Sequence, residues 1–209
     1  KNIVLLGATG SIGDSCLNVI RQNKKHFRLF GIVLGGNLDK AKKIAKEFNP
    51  EHIFVAKPII DKSHDLLQSY PNILNTEDEL QELIQDPCVD IVISAISGFA
   101  GLKTSYFAID AGKTILIANK ESIVAAGDIL MPLAKIKNSE IIPVDSEHNA
   151  IHQCLPLQKN LNEISKIMIT ASGGPFREKA FNDLSSVTLK DALNHPTWSM
   201  GTKITIDSA

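Results

Sequence analysis

A glycine-rich turn near the start of the chain constrains the fold more than any other feature. The apolar run Ile3–Leu6 leads into Gly7-Ala8-Thr9-Gly10-Ser11-Ile12-Gly13, and a helical pattern follows from Asp14 to Arg21. Glycines let backbone N–H groups approach a pyrophosphate, and the helix N-terminus adds partial positive charge. The spacing is G-x-x-G-x-x-G. The order of strand, turn and helix favours a dinucleotide site over a turn that serves only close helix packing.

Further apolar runs alternate with helical patterns along the chain. The strand patterns are Phe30–Leu34, His52–Val55, Asp90–Ala95 and Thr114–Ala118, and the helical ones are Leu38–Phe48, Lys62–Ser69 and Thr76–Gln85. This alternation predicts an α/β fold with a mostly parallel, doubly wound sheet, whose ligands lie beyond the carboxyl ends of the strands. Two later runs, Lys166–Thr170 and Lys203–Asp207, are also predicted to be strands.

The end of the second predicted strand indicates which dinucleotide the chain prefers. NAD sites place an acid there for the ribose 2′-hydroxyl, whereas this chain has Gly35-Gly36-Asn37. Without that acid no carboxylate repels a 2′-phosphate, so the sequence favours NADPH. Three lysines follow, Lys40, Lys42 and Lys43, and we expect them on the solvated face of the next helix.

Two carboxylates follow the apolar stretch 141–144. Asp145 and Glu147 are two residues apart, and in extended backbone such side chains point the same way, so both can bind one cation. Their hard oxygen donors favour Mg²⁺ or Mn²⁺. On spacing alone, the simpler interpretation is a strand end followed by a helix with Ser146 or Asn149 as its cap.

Other polar residues leave two interpretations open. Lys120 suits a substrate oxygen or phosphate as well as a helix-start salt bridge, and Ser172 suits an anion as well as a plain turn. Trp198, the only tryptophan, suits an active-site lid or a loop anchored to the core. His148 and His152 are four residues apart, but the glutamate of the zinc motif H-E-x-x-H is absent, so zinc is not indicated.

Composition excludes several classes of protein. The chain has 209 residues, 44% of them hydrophobic, and a net charge of −1, which suits a globular protein and argues against nucleic-acid binding. No apolar run is long enough to cross a bilayer. Three scattered cysteines argue against a disulfide framework and suit a reducing cytosol. We expect a cytoplasmic protein that acts on a small molecule.

Six motifs together resemble one enzyme family. In chain order they are G-A-T-G-S-I-G at 7–13, A-N-K-E-S at 118–122, P-V-D-S-E-H-N-A at 143–150, S-G-G-P-F-R-E at 172–178, H-P with W-S-M-G at 195–201, and D-S-A at 207–209. The chain resembles the 1-deoxy-D-xylulose 5-phosphate reductoisomerase family, which serves the non-mevalonate isoprenoid pathway of bacteria. The third and fourth motifs are long and specific.

The resemblance implies a role for each matching residue. NADPH would be bound by Thr9, Gly10, Ser11, Ile12, Gly35, Gly36, Asn37, Asn119, Glu121 and Gly201. A divalent cation (Mg²⁺, Mn²⁺ or Co²⁺) would be bound by Asp145 and Glu147. The sugar-phosphate substrate would be bound by Lys120, Ser146, Glu147, Ser172, His195 and Ser208, of which Lys120, Glu147 and His195 would act in catalysis.

The resemblance also implies an architecture and a reaction. Residues 1–144 would be a Rossmann-like NADPH-binding domain and residues 145–209 part of an α+β catalytic domain, in an enzyme that forms homodimers. The enzyme would isomerise 1-deoxy-D-xylulose 5-phosphate by retro-aldol cleavage and re-addition. Reduction by NADPH would then give 2-C-methyl-D-erythritol 4-phosphate.

The chain departs from the family pattern at two places. The family often has a lysine where this chain has Gly36. After the position of Ala209 it has a third metal carboxylate, a phosphate-binding asparagine and lysine, and a helical domain. We therefore expect the 209-residue chain to bind NADPH weakly and to turn over poorly, as an impaired fragment of the enzyme.

A semialdehyde dehydrogenase is the competing class of enzyme, because it shares the G-A-T-G turn. That chemistry needs a nucleophilic cysteine. Cys16 lies in the first predicted helix, Cys88 follows a proline, and Cys154 lies in a later helix. None of the three has the setting of a nucleophile, so the sequence disfavours this class.

Overall fold

The chain folds into two compact units, Lys1–Leu155 and Pro156–Ala209. The computed structural model describes residues 1–58, 64–156, 161–170, 173–199 and 201–209, apart from the side chains of residues 161 and 203. No helix in these ranges combines the length and the apolar character needed to span a membrane.

The first unit is built around one parallel sheet. Its strands are β1 (Asn2–Leu6), β2 (Arg28–Leu34), β3 (His52–Val55), β4 (Ile91–Ser94), β5 (Thr114–Ile117) and β6 (Ile141–Pro143). Its helices are α1 (Ser11–Gln22), α2 (Leu38–Phe48), α3 (Asp65–Ser69), α4 (Glu77–Gln85), α5 (Leu102–Asp110), α6 (Lys120–Lys137) and α7 (Ser146–Cys154). The strand order is β3-β2-β1-β4-β5-β6, with every neighbouring pair parallel. The predicted doubly wound sheet is confirmed.

The sheet is buried on both faces, which is why its strands are continuous apolar runs rather than alternating ones. Val4, Leu5 and Leu6 of β1 are all fully buried. Successive strand residues point to opposite faces. Leu5 accordingly packs into one apolar cluster with Leu17 of α1, and Val4 packs into the other with Phe107 of α5. This two-sided core holds the carboxyl ends of the parallel strands in fixed positions at one end of the sheet.

The strand order creates a crevice at the carboxyl end of β1. The chain leaves β1 towards β2 on one side, and β4 is added on the other side, so the connections diverge there. Open parallel sheets bind their ligands at such a point. The glycine-rich turn 7–13 directly follows β1 and therefore lies at this position.

The second unit contains short helices in its described part. These are two 3-10 turns, Leu161–Glu163 and Phe181–Ser186, and the helices α8 (Leu189–Ala192) and α9 (Thr202–Asp207). The predicted strand Lys203–Asp207 is wrong, because these residues belong to α9, where the Thr205 N–H donates to the Gly201 carbonyl at 3.0 Å.

The predicted strand Lys166–Thr170 is also wrong, because this segment has no regular structure. Its apolar side chains Ile167, Met168 and Ile169 are 55%, 79% and 70% exposed. A strand forms only where a neighbouring strand accepts and donates its backbone hydrogen bonds. The described residues of the second unit offer no such neighbour, so strand-like composition does not produce a strand there.

Candidate functional site

The glycine-rich turn is attached to both neighbours of β1. The N–H groups of Gly7 and Ala8 donate to the Val33 carbonyl of β2 at 2.9 and 3.0 Å. Gly7 has a positive φ of 81°, and a Cβ there would lie 2.5 Å from the Ala95 carbonyl oxygen beyond β4. Only glycine fits this position, because a side chain would meet backbone in an unfavourable conformation. The turn is therefore fixed at the crevice.

The turn presents the start of α1 to the crevice. Helix α1 begins after Gly10, and no side chain of the described residues caps it. The first N–H groups of a helix have no partner within the helix, so residues 11–13 leave backbone donors for a ligand. Gly13 is buried, and a Cβ on it would lie 2.5 Å from the Ala8 carbonyl oxygen. Uncapped donors at a close contact between helix and turn suit a pyrophosphate.

The residues after β2 lie beside this turn and are exposed. They are Gly35, Gly36 and Asn37, and the Asn37 side chain caps α2 by accepting from the Lys40 N–H at 3.0 Å. The Lys40 ammonium donates to the Thr9 carbonyl at 3.0 Å and pairs with Asp14 at 2.7 Å. The expectation that Lys40 faces solvent is thus wrong, because this side chain connects α2 to the glycine-rich turn.

Asn119, at the end of β5, holds two loops together. It is only 2% exposed, and its amide nitrogen donates to the carbonyls of Ile96 and Gly98. Its amide oxygen accepts from the Ser122 N–H and hydroxyl, each at 2.8 Å. A Cβ on Gly101 would collide with this amide at 2.3 Å. The Asn119 side chain is fully engaged within the protein, so it shapes the loop after β4.

Ser122 and Gly101 are structural residues of this cluster that the sequence reasoning missed. The N-x-x-S spacing at 119–122 is a local signal from which a helix cap at Asn119, with a second contact to the Ser122 hydroxyl, could have been predicted. Gly101 had no such signal, because the need for glycine comes from a side chain 18 positions later in the chain. Glu121 lies in the first turn of α6 and is half-buried.

Asp145, which follows β6, is the centre of a charged cluster. Its carboxylate lies 3.3 Å from the Lys120 ammonium and 2.6 Å from His148 Nδ1, and its side chain is 14% exposed. Burial raises the pKa of Asp145, but hydrogen bonds from His148 and the charge of Lys120 outweigh it, so the pKa lies below its usual value. The carboxylate is therefore ionised at neutral pH.

Asp145 is also the residue that caps α7, because its side chain accepts from the His148 N–H. The interpretation with Ser146 or Asn149 as cap is wrong. Asn149 instead donates its side-chain amide to the Pro143 carbonyl at 2.6 Å, which holds α7 against β6.

The expected extended geometry of Asp145 and Glu147 is wrong as well, since Glu147 lies in the first turn of α7. Residues two apart on a helix do not face each other. Glu147 is exposed, and the described residues contain no group of three or more histidines, cysteines or acids that could hold a metal. By its chemistry each carboxylate suits a hard cation such as Mg²⁺, which commonly binds one or two carboxylates and completes its shell with other oxygens.

His195, in the second unit, has a defined tautomer. Its Nδ1 accepts the N–H groups of Thr197 and Trp198 at 3.1 and 2.9 Å. A nitrogen that accepts carries no proton, so neutral His195 carries its proton on Nε2. Trp198 is 58% exposed, so it does not anchor this loop to a core.

Ser208 lies beside a pair of glycines in the second unit. A Cβ on Gly174, whose φ is 50°, would lie 1.9 Å from the Ser208 carbonyl oxygen. The loop after residue 172 therefore packs against the C-terminal end of α9. Gly201 is the cap residue at the other end of this helix. Ser172 itself lies outside the described residues, as does Met200.

The cysteines do not support an acylating dehydrogenase. Burial raises the pKa of the Cys16 thiol, and the Asp86 carboxylate raises the pKa of the exposed Cys88. A nucleophilic cysteine needs the opposite shift, because the thiolate is the reactive form. Cys154 is exposed at the end of α7.

The parallel sheet, its strand order and the glycine-rich turn define a Rossmann-like α/β protein. A family model for 1-deoxy-D-xylulose 5-phosphate reductoisomerase matches residues 3–127 of this chain. A second family model, for the C-terminal domain of the same enzyme, matches residues 141–209. The chain belongs to the 1-deoxy-D-xylulose 5-phosphate reductoisomerase family, and this confirms the resemblance.

Curated relatives and solved structures agree with this assignment. The reductoisomerase of Leptospira interrogans (strain 56601) is 47% identical over 99% of this chain and 53% of its own length. That of Bacillus cereus (strain AH187) is 46% identical over 100% and 55%. The chain thus spans about half the length of the curated relatives it matches.

Two solved structures cover 100% of this chain and 54% of their own. A DOX-P reductoisomerase in complex with NADPH, fosmidomycin and magnesium is 42% identical, with a TM-score of 0.89. The reductoisomerase from Zymomonas mobilis in complex with NADPH is 37% identical, with a TM-score of 0.85.

Proposed function

We propose that this chain carries the NADPH-binding part and a portion of the catalytic part of a metal-dependent reductoisomerase. The enzyme isomerises and reduces 1-deoxy-D-xylulose 5-phosphate to 2-C-methyl-D-erythritol 4-phosphate in isoprenoid precursor synthesis. The observation that carries this proposal is the 3.3 Å pairing of Lys120 with Asp145 at the carboxyl end of the sheet, where the glycine-rich turn also lies. A relative with 42% identity binds NADPH and magnesium, which supports both cofactors.

Cofactor binding rests on the exits of β1, β2 and β5. Residues 9–12 would contact the pyrophosphate through the uncapped start of α1, and residues 35–37 would contact the adenosine ribose. Asn119 and Glu121 would border the cofactor from the β5 side, and Gly201 would lie near the nicotinamide. Because the Asn119 side chain is fully engaged, its part is to fix the loop that the cofactor meets.

Metal and substrate binding rest on the exits of β5 and β6. Asp145 and Glu147 would hold a divalent cation (Mg²⁺, Mn²⁺ or Co²⁺), which supplies Lewis-acid polarisation of the substrate's ketone and hydroxyl oxygens. His148 orients the Asp145 carboxylate, as partners of metal ligands commonly do. Lys120, whose side chain is 55% exposed, would donate to a substrate oxygen, and the Ser146 hydroxyl would donate beside it.

Phosphate and hydroxyl binding would come from the second unit. Ser172 and Ser208 would bind the substrate phosphate, and His195 would donate a hydrogen bond from Nε2 to the substrate. Trp198 on the loop after His195 would close over the bound substrate and exclude water. We propose functional domains at 1–144 and 145–209, although α7 packs with the first compact unit.

The enzyme is further proposed to be a cytoplasmic homodimer that contacts neither nucleic acid nor membrane. A second candidate, an NADPH-binding fragment with impaired catalysis, is favoured by the length of the chain relative to its curated relatives. Rapid turnover of 1-deoxy-D-xylulose 5-phosphate by verified 209-residue material would exclude it.

The proposal is tested by separating metal binding from cofactor binding. In the 209-residue chain we expect Asp145→Asn to abolish Mn²⁺ binding, measured by electron paramagnetic resonance, because it removes one of two carboxylate ligands. NADPH binding, measured by its fluorescence, should change by less than about twofold, since Asp145 and Glu147 come just after β6 and none of the residues proposed for the cofactor does. Asp128→Asn on the exposed face of α6 is the matched control. Equal loss of both ligands would show that Asp145 supports the fold instead.

A further inference from the structure

The end of β2 has the geometry of a ribose subsite without a charged side chain of its own. Gly35 and Gly36 have none, and the Asn37 side chain is engaged as the cap of α2. In Rossmann folds this position selects between a ribose 2′-hydroxyl and a 2′-phosphate. The absence of an acid removes repulsion, but it supplies no attraction for a phosphate. A cation from another element is therefore needed for a positive preference.

Lys57, in the loop after β3, covers Gly36. Its N–H donates to the Gly35 carbonyl at 2.8 Å, which extends the pairing of β2 with β3 by one step. A Cβ on Gly36 would lie 3.2 Å from Lys57 Cδ and 3.4 Å from Lys57 Cβ. The stem of Lys57 therefore occupies the space into which a side chain at position 36 would extend. Lys57 is exposed, so its ammonium is within reach of a ligand at this strand end.

Two lysines of α2 near this strand end, Lys40 and Lys42, are already engaged. The Lys40 ammonium is held by the Thr9 carbonyl and the Asp14 carboxylate, so its charge is neutralised within the protein. The Lys42 ammonium is paired with Asp65 of α3. Within the described ranges, no ion pair of this kind is found for Lys57. Of these lysines, only Lys57 combines exposure with contact to the ribose subsite.

We propose that Lys57 is the residue that gives this chain its preference for NADPH over NADH, by binding the 2′-phosphate over Gly36. This inference rests on the proposed use of NADPH. The stem is positioned by its contact with Gly36 and by the backbone hydrogen bond of Lys57 to Gly35, so the ammonium is partly pre-organised for the phosphate. The interaction lies at the surface, so it weakens as salt is added.

The test measures dissociation constants of NADPH and NADH for the 209-residue chain by cofactor fluorescence, at low and at high salt. We expect Lys57→Ala to weaken NADPH about five- to tenfold, because an exposed charge-assisted contact is lost, and to change NADH by less than about twofold. Lys57→Arg should keep the preference. Lys25→Ala removes the same charge from an exposed turn before β2, at the opposite end of that strand, and should leave both constants unchanged.

A second variant moves the charge rather than removing it. Lys57→Ala opens the space over Gly36, and Gly36→Lys in that background returns an ammonium to the same subsite, so we expect it to restore the NADPH preference. Adenosine 2′,5′-bisphosphate and 5′-AMP are used as competitors, because they differ only in the 2′-phosphate and both lack the nicotinamide. Their relative affinities therefore report the contribution of the 2′-phosphate alone. An unchanged preference in Lys57→Ala, or equal weakening of both cofactors, overturns the role of Lys57 alone. Absence of NADPH binding by the unaltered chain overturns the proposed function with it.

Discussion

The two compact units of this chain are stabilised in different ways. Every buried apolar side chain found among the described residues lies in the first unit, between Ile3 and Ala134. Among the residues of the second unit whose burial is described, the buried ones are Gly174 and Thr205, whereas Phe181 and Met168 are 87% and 79% exposed. The first unit therefore has a core of its own, and the second is held by local contacts. Burial of apolar area is the dominant favourable term in folding, so the two units should respond differently to mutation.

This difference coincides with the proposed division of labour. The residues proposed for the cofactor follow strands of a buried sheet, which fixes their positions, apart from Gly201. Ser208, one of the two residues proposed for the substrate phosphate, directly follows α9, a helix of only six residues in the second unit. Segments with few buried contacts open locally at low cost. We expect a rigid cofactor site and a more adaptable phosphate site.

The largest expected difference comes from deleting apolar side chains. Leu5→Ala removes a fully buried side chain from β1 and should lower the free energy of unfolding by about 2–5 kcal/mol. Leu189→Ala in α8 removes a side chain that is 65% exposed, and should change the same quantity by less than about 0.5 kcal/mol. Urea unfolding followed by circular dichroism measures both. Similar losses would contradict the difference between the two units.

Glycine substitutions should produce the next largest contrast. Gly7→Ala forces a side chain into positive φ and against the Ala95 carbonyl, and should destabilise the whole first unit by about 2 kcal/mol or more. Gly174→Ala meets the Ser208 carbonyl in the same way, but we expect faster hydrogen exchange only near that loop. Hydrogen exchange read by mass spectrometry separates the two cases. Global exchange in Gly174→Ala would contradict the comparison.

A smaller contrast should appear in the pH dependence of two carboxylates. A hydrogen bond from Lys1, with one from the Asn2 N–H, holds the pKa of Asp90 below its usual value. Hydrogen bonds from Thr188 do the same for the pKa of Asp191 in the cap of α8. A depressed folded pKa contributes stability above the unfolded value, near 3.8, and this contribution is lost as the pH falls through the folded value.

At pH 7, Asp90→Asn should therefore lower the free energy of unfolding by less than about 1 kcal/mol, because the pair is at the surface. The difference from the unaltered chain should shrink in acid. Asp191→Asn should leave global unfolding unchanged and alter only the exchange of the α8 amides. Urea titrations at neutral and acidic pH provide the measurement, and a pH-independent effect of Asp90→Asn would refute the electrostatic explanation.

Local patterns were sufficient for the sheet of the first unit because its contacts agree with them. The apolar run before Gly7 becomes β1, and the glycine spacing becomes a turn at the crevice. They failed at Lys166–Thr170 and Lys203–Asp207, where composition favours strands but no neighbouring strand is described. Backbone hydrogen bonding between strands is a property of two segments, so one segment cannot reveal it.

The sequence by itself determined the parallel sheet, the family and the residue types at the strand exits, because these depend on order and spacing along the chain. Only the tertiary structure decided how those residues meet. In the folded chain Asp145 caps a helix and pairs with Lys120 and His148. The Asn119 amide is hydrogen-bonded at both its nitrogen and its oxygen, and the Lys57 side chain packs over Gly36. The physical reason is the same in each case. These contacts join residues that folding brings together across strand exits or around a helix start, and hydrogen bonds and charge pairs depend on distance and direction rather than on position in the chain.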